Sequence, residues 1–196
     1  MATLFHLVRH GSYALLDHAL GGRGDYPLSS QGRDEAKRIA DWLADRRPGS
    51  LVCSPTRRAA ETADLIARRL GIPVQTDVAF AEIDYAGWAG KRFEDLRGDP
   101  AWQAWNRFRG TAGVPGGETI LAVVSRAIDG LLRLAARHAT AEVVVVSHAD
   151  VIKAVLAHFM GAPLDLMRRI EIGPGSISQV MLYADDAKLL AVNIRP

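Results

Sequence analysis

Four short apolar runs in this 196-residue chain each end in side chains able to do chemistry. Arg9, His10 and Gly11 close the run that begins at Thr3. Ser54 and Pro55, then Arg57 and Arg58, follow Leu51 to Cys53. Glu82 comes just after the run at 73–80. Ser147 and His148 follow Val143 to Val146. Two histidines and a glutamate could ligate a divalent cation. Arginines beside such a cation repel it, so no metal is expected. Guanidinium forks suit a phosphoryl group, whose oxygens accept paired charge-assisted hydrogen bonds. A neutral imidazole can attack phosphorus, and a carboxylic acid can protonate the oxygen that leaves. The set therefore reads as phosphoryl transfer through a phosphohistidine, with neither metal nor cofactor. The other histidines are poorer candidates. His6 lies inside an apolar run, and His18, His138 and His158 fall in loops or on helix faces.

A scaffold must bring these four run ends together. Thr3 to Arg9 is β-prone and is followed by a turn at Gly11-Ser12, and the glycine-rich stretch Leu20 to Gly24 is a loop. Ser29 or Ser30 is placed to cap a helix whose apolar residues Ala36, Ile39, Ala40 and Leu43 fall at helical spacing, ended by Pro48-Gly49. Leu51 to Cys53 reads as a strand. Ser54-Pro55-Thr56 opens a second helix that buries Ala59, Ala63, Ile66 and Leu70 and stops at Gly71 and Pro73. The stretch 73–80 reads as another strand. The part from 86 to 117 is the least regular, holding Pro100, Pro115 and three of the four tryptophans. A third helix is expected from about Glu118 to His138, with Ile120, Val123, Ala127 and Leu131 on one face. Four consecutive valines, Val143 to Val146, suit a central strand covered on both sides. A helix follows from about Asp150 to Met160. Ser176 to Tyr183 and Lys188 to Ile194 form a hairpin around 184–186. Strands alternating with helices predict a three-layer α/β/α sandwich on a mainly parallel sheet. In such sheets sites form at the carboxyl ends of the strands, which is where the reactive residues fall.

Composition narrows the classes. Hydrophobic residues make up 48% and charged residues 23%, which excludes a disordered, collagen-like or disulfide-framework chain. Lys plus Arg is 24 against 22 Asp plus Glu, so the net charge of +2 gives no basic footprint for nucleic acid. Cys53 is the single cysteine and reads as a small buried hydrophobe. With no internal disulfide possible, no signal-peptide pattern and no apolar stretch near the roughly 20 residues of a membrane span, a cytoplasmic protein is expected.

Taken together, the motifs resemble those of the histidine phosphatase superfamily, also called the phosphoglycerate mutase-like family. The resemblance runs through LVRHGSY at 7–13, DYPLSSQGRDEA at 25–36, SPTRRAAETA at 54–63, AEIDYAGWAGK at 81–91, PGGET at 115–119 and VVVVSHADVIK at 143–153. These blocks occur in the family's order over nearly the whole chain, so 1–196 is expected to be one domain, with 86–117 an irregular insert covering the site. The resemblance implies the phosphoglycerate mutase-like fold and a metal-independent phosphomonoesterase, a histidine acid-type phosphatase acting on a small-molecule phosphate ester rather than a phosphoprotein. It implies His10 as phosphate-accepting nucleophile, Glu82 as proton donor, and Arg9, Arg58 and His148 as phosphoryl-binding groups.

Neighbouring residues compete for some of these roles. In SPxxRA the pocket arginine is the fifth residue, Arg58, which leaves Arg57 as a solvated charge. Asp84 lies two residues after Glu82 and would share its side of an extended segment, so spacing does not separate them; the family pattern points to Glu82. The chain departs from the family at Ala149, where a glycine is usual. It departs again at Tyr13 and Leu16, which stand where many members carry Thr and Asn. Ser12, Tyr13 and Arg23 then line the pocket or sit on a surface loop. Trp88, Phe93, Trp102 and Trp105 form an apolar rim or pack as core. Arg107 and Arg109 draw in anions or are simply solvated, and Glu118 reads as an acid in a helix's first turn. A phosphoglycerate-type phosphomutase is the alternative function, disfavoured by AEIDYAGW in place of the mutase-type ERHYG.

Overall fold

The computed structural model describes residues 2–139 and 141–196. Strand β1 (Thr3–Arg9) leads through the glycine loop to helix α1 (Ser30–Ala44). Strand β2 (Ser50–Cys53), helix α2 (Arg57–Leu70) and strand β3 (Val74–Thr76) follow. Helices α3 (Phe93–Leu96) and α4 (Pro100–Arg107) lie in the irregular stretch, ahead of α5 (Ile120–Arg137). Strand β4 (Glu142–Ser147), helix α6 (Ala149–Phe159) and the antiparallel pair β5 (Ile177–Leu182) and β6 (Ala187–Ile194) complete the chain. The six strands form one sheet in the order β3-β2-β4-β1-β5-β6. β1, β2, β3 and β4 are mutually parallel; β5 runs the other way, and β6, antiparallel to β5, returns to their direction.

The valine run shows why the sheet must be covered twice. Side chains alternate along a strand. Val143 and Val145 join Phe5, Leu7 and the buried faces of α5 and α6, whereas Val144 and Val146 join Val8, Leu51 and the faces of α1 and α2. Each fully buried valine favours this arrangement by about 1.5–3 kcal/mol over exposure. The helices sit where the periodicity placed them. The Ser29 hydroxyl caps α1 by accepting the Gly32 N–H, and Gly71, at φ 68°, closes α2 in the left-handed conformation open to glycine.

Two expectations are corrected, and a third region proves better ordered than its composition suggests. The stretch 73–80 is not one strand: β3 ends at Thr76, because the Asp77 carboxylate accepts the Ala79 N–H and turns Val78–Phe80 into a 3₁₀ helix with Phe80 in the core. Glu118 lies before the cap of α5, not in its first turn; Thr119 is the cap and accepts the Ala122 N–H. The region 86–117 carries more order than its glycines and prolines suggest. Asp99 caps α4 through the Ala101 and Trp102 N–H groups and also accepts the Trp88 indole N–H at 3.0 Å. Trp88 and Trp105 are core residues, with Trp102 half-buried against both.

Candidate active site

His10 follows β1 directly, and its N–H donates to the Ser147 carbonyl at the end of β4. This bond locks together the ends of the two central strands. Gly11 comes next because nothing larger fits: a Cβ there would collide with the Gly32 carbonyl at the start of α1. The His10 ring is 2% exposed. Its Nδ1–H donates to the Gly11 carbonyl at 2.8 Å, which leaves the Nε2 lone pair facing the site. Arg58 Nε donates into that lone pair at 3.1 Å. Burial, then the charges of Arg58 and Arg9, hold the His10 pKa well below its ordinary value, so the imidazole is neutral at pH 7.

Arg58 projects from the first turn of α2 and is 1% exposed. Its Nη2 donates to the Gly22 carbonyl at 2.6 Å and to His148 Nδ1 at 3.2 Å, and Nη1 reaches the Gly24 carbonyl at 3.3 Å. The glycine loop is thus folded over the guanidinium. His148 closes β4 and is fully buried, its ring centroid 5.1 Å from that of His10. Since Nδ1 accepts from Arg58, Nε2–H is the donor to Ser54 Oγ at 2.7 Å. Burial and Arg58 lower its pKa well below the ordinary value as well. Arg9 donates Nη1 to the Ile172 carbonyl, while its buried Nε has no protein partner.

Glu82 faces this group from the segment after the 3₁₀ turn. Its side chain is 12% exposed, with Oε2 3.6 Å from His148 Nδ1 and 3.9 Å from Arg58 Nη2. Burial raises its pKa to about 7, against the opposing charge of Arg58 and with help from Asp150. A neutral imidazole whose Nε2 lone pair is met by Arg58, two guanidinium groups and a carboxyl that can still carry a proton near neutral pH therefore surround one point. That arrangement can accept a phosphoryl group and supply a proton to its leaving oxygen.

The profile of the histidine phosphatase superfamily, branch 1, matches residues 5–195. The chain belongs to the histidine phosphatase superfamily. It is 33% identical over 191 residues to a Mycobacterium tuberculosis protein named as bifunctional, a match covering 94% of this chain and 52% of that one. The chain thus spans about half the length of the first curated relatives it matches. It is 27% identical over 192 residues to the adenosylcobalamin/alpha-ribazole phosphatase of Escherichia coli, covering 96% of this chain and 95% of the relative. Among solved structures, a mycobacterial glucosyl-3-phosphoglycerate phosphatase in complex with VO3 matches with a TM-score of 0.88 at 27% identity, covering 97% of this chain and 98% of that one. The six-stranded, mostly parallel sheet with its two helical layers is the histidine phosphatase fold.

Within this superfamily member the remaining candidates separate clearly. Asp84 turns away from His10: its Oδ1 accepts the Ala86 N–H, its Oδ2 lies 3.6 Å from Arg23, and its side chain is 46% exposed. Arg57 is the solvated charge, paired with Glu61. Ser12 turns inward, giving both its N–H and its hydroxyl to Glu35. Tyr13 does approach the site, edge-on to His10 at 5.6 Å and beneath Arg58 at 5.1 Å. Arg23 donates to the Glu82 carbonyl and to Glu118, so it holds the acid's backbone rather than its side chain. Trp88 is buried against Trp102 and Trp105. Arg109 fits neither expectation. It is buried, stacked 3.4 Å over Trp105 and paired with Asp150, whereas Arg107 is exposed. Sequence reasoning missed Asp150, Tyr85 and Arg126: Asp150 is joined to Arg109 and Tyr85, and Arg126 to the Ala79 carbonyl, across 41 to 65 residues of chain. Among the described residues no group of three or more His, Cys, Asp or Glu could hold a metal ion, and no helix is long and apolar enough to cross a membrane.

Proposed function

We propose that the chain is a metal-independent phosphomonoesterase that works through a phosphohistidine on His10. The observation that carries this reading is the Nδ1–H bond to Gly11, which aims a neutral Nε2 lone pair into a cradle of Arg58 and His148. A phosphate dianion displaces the Arg58 Nε bond from His10 and takes donors from Arg9 and Arg58, and from His148 once its single proton moves from Nε2 to Nδ1. The His10 Nε2–P bond forms as the P–O ester bond breaks, and the Glu82 carboxyl gives its proton to the departing alkoxide. Water then attacks phosphorus and passes a proton to the Glu82 carboxylate. The N–P bond breaks, and inorganic phosphate leaves with Glu82 protonated again. General acid help of this kind contributes about 10²- to 10⁴-fold, and preorganised positive charge much of the rest.

Relatives named as alpha-ribazole phosphatase and glucosyl-3-phosphoglycerate phosphatase support a small-molecule phosphate ester as substrate, ahead of a phosphoprotein. In this reading 1–196 works as one catalytic domain, with 86–117 packed as the wall that carries the acid's support. A cytoplasmic setting keeps the buried thiol of Cys53 reduced.

The test is hydrolysis of an aryl phosphate in EDTA, with a rapid alkaline quench to trap phosphoprotein. Turnover with an alkali-stable, acid-labile phosphoryl group, absent in His10→Ala, is expected. Loss of activity in EDTA, or turnover without phosphoprotein, overturns the reading. Phosphoryl return to an added hydroxy acid in preference to water would assign the phosphomutase alternative.

A further inference from the structure

One half-buried carboxylate outside the proposed phosphoryl cradle ties three parts of the molecule together. Asp150 lies in the first turn of α6, two residues beyond His148. A single oxygen, Oδ2, accepts from the Tyr85 hydroxyl at 2.9 Å and from Arg109 Nη1 at 3.0 Å. Tyr85 is buried and stands three residues after Glu82, so its hydrogen bond fixes the far end of the acid segment. Arg109 comes from beyond α4. Its guanidinium lies flat on Trp105, and its Nη2 is held by the Asn106 side chain. Nothing in the core needs a charged pair here. A buried pair of this type is worth little to stability compared with an apolar filling, which directs attention to its field rather than its strength.

We propose that Asp150 is a positioning residue for the acid step, holding the Glu82 segment through Tyr85 against the His148 end of β4 and adding a fixed negative charge to the field at the Glu82 carboxyl. The inference rests on the reading of Glu82 as proton donor. Arg58 from α2 and His148 from the end of β4 face the Glu82 carboxyl directly, and the charges of Arg9 from β1 and Asp150 from α6 also act on it. Arg23 and Arg126 hold its carbonyl. Of the three charged side chains Arg9, Arg58 and Asp150, Asp150 is the negative one. Arg9 and Arg58 pull the Glu82 proton off, and Asp150 works against them. Asp150 itself stays ionised: burial works to raise its pKa, but Arg109, Lys153 and the Tyr85 hydroxyl outweigh that and lower it.

Two variants give opposite signs. Asp150→Asn keeps the shape and an oxygen acceptor but removes the negative charge and leaves Arg109 unpaired. Arg109→Met keeps a long apolar stem over Trp105 and leaves the carboxylate without its partner. The rate on an alkyl phosphate, whose leaving group needs a proton, is measured against pH for both. Asp150→Asn is expected to move the alkaline limb to lower pH by about one unit, a roughly tenfold loss above the limb. Arg109→Met is expected to move it to higher pH. An aryl phosphate, which needs little protonation, is expected to show much smaller changes in both variants. Limbs that stay in place, or move in the same direction, while melting temperatures fall would make the pair structural only and overturn the inference. Glu82→Gln separates the two levels of the argument. If it leaves the alkyl phosphate profile unchanged, the assignment of the acid itself fails. If it removes the alkaline limb while Asp150→Asn does not shift it, only the role of Asp150 fails.

Discussion

The floor and the wall of the site are built from opposite materials. The floor consists of His10, Arg58 and His148 at the ends of β1, β4 and the start of α2, almost wholly buried and joined by short bonds to one another. The wall is the segment from Glu82 to Glu118, whose charges are partly exposed and whose bonds reach far along the chain. One physical cause acts on both with opposite results. Desolvation disfavours charge, so it pushes the two histidines down and Glu82 up. An unprotonated nucleophile and an acid that can still give a proton thus coexist near neutral pH. Neither state would be held as firmly if its group faced water.

The largest expected effect breaks the floor. His10→Ala removes the Nε2 lone pair aimed at the Arg58 guanidinium, and the rate on any phosphate ester is expected to fall by more than about 10³-fold, as loss of a nucleophile does elsewhere. Steady-state hydrolysis of aryl and alkyl phosphates checks this. The loss must be similar on both substrates, because both depend on the same attacking lone pair.

Glu82→Gln breaks the wall instead, and here the two substrates must part. The alkyl phosphate is expected to lose about 10²- to 10⁴-fold and the aryl phosphate far less. In the wild type, activity on the alkyl ester should fall as pH rises through about 7, the value to which Glu82 is raised. The same residue carries a stability signature. Its folded pKa lies above the ordinary value of 4.5, so between about 4.5 and 7 the folded state holds a proton that the unfolded chain has lost. Stability therefore declines as pH rises across that window. Glu82→Gln, which has no charge to bury, is expected to raise the melting temperature at pH 8 while lowering activity. The histidines give the opposite slope: with folded pKa values depressed, their contribution is present above about 6.5 and is lost as pH falls.

Arg58→Lys tests whether the floor needs a fork or only a charge. Arg58 spends three nitrogens on His10, His148 and the carbonyls of Gly22 and Gly24. A lysine keeps the charge but cannot span these positions. A loss of about 10²-fold is expected on both substrates, with the glycine loop loosened. Limited proteolysis near 20–24 reads the loosening directly, and an unchanged cleavage pattern would assign the loop's order to other contacts.

The floor was legible in the sequence and much of the wall was not, for reasons visible in particular residues. Valine alternation and strand-end placement locate His10 and His148, because a parallel sheet delivers all its carboxyl ends to one edge. Arg58 separates from Arg57 only through the family pattern, and the structure adds the reason: one points into the protein and the other pairs with Glu61 in solvent. Spacing left Glu82 and Asp84 equivalent because it assumes an extended segment. The chain turns there, with the Asp84 carboxylate capping the Ala86 N–H. Arg109 is out of reach of any local rule, since its partner is Asp150, 41 residues on. Glu118 also looked like an ordinary helix acid. It receives the Asp84 N–H together with Arg23 and Arg126, and so organises the turn that aims Glu82.

The smallest expected effect sharpens the contrast most. Arg23→Ala removes a half-exposed guanidinium from Glu118, Asp84 and the Glu82 carbonyl. Exposed pairs are screened, and each is worth about 0–1 kcal/mol. Arg126 still holds both Glu118 and the carbonyl. Stability should fall by no more than about 1 kcal/mol, and the rate on an alkyl phosphate by a few-fold. Salt separates the two regions. Raising ionic strength should shrink the difference between wild type and Arg23→Ala, since water and ions reach that pair, yet leave the Arg58→Lys deficit nearly unchanged in the desolvated floor. Melting temperatures and rates of both variants at low and high salt check this. A salt-insensitive Arg23 deficit would show that the wall is as sealed as the floor, and that its exposed charges act through packing rather than through their field.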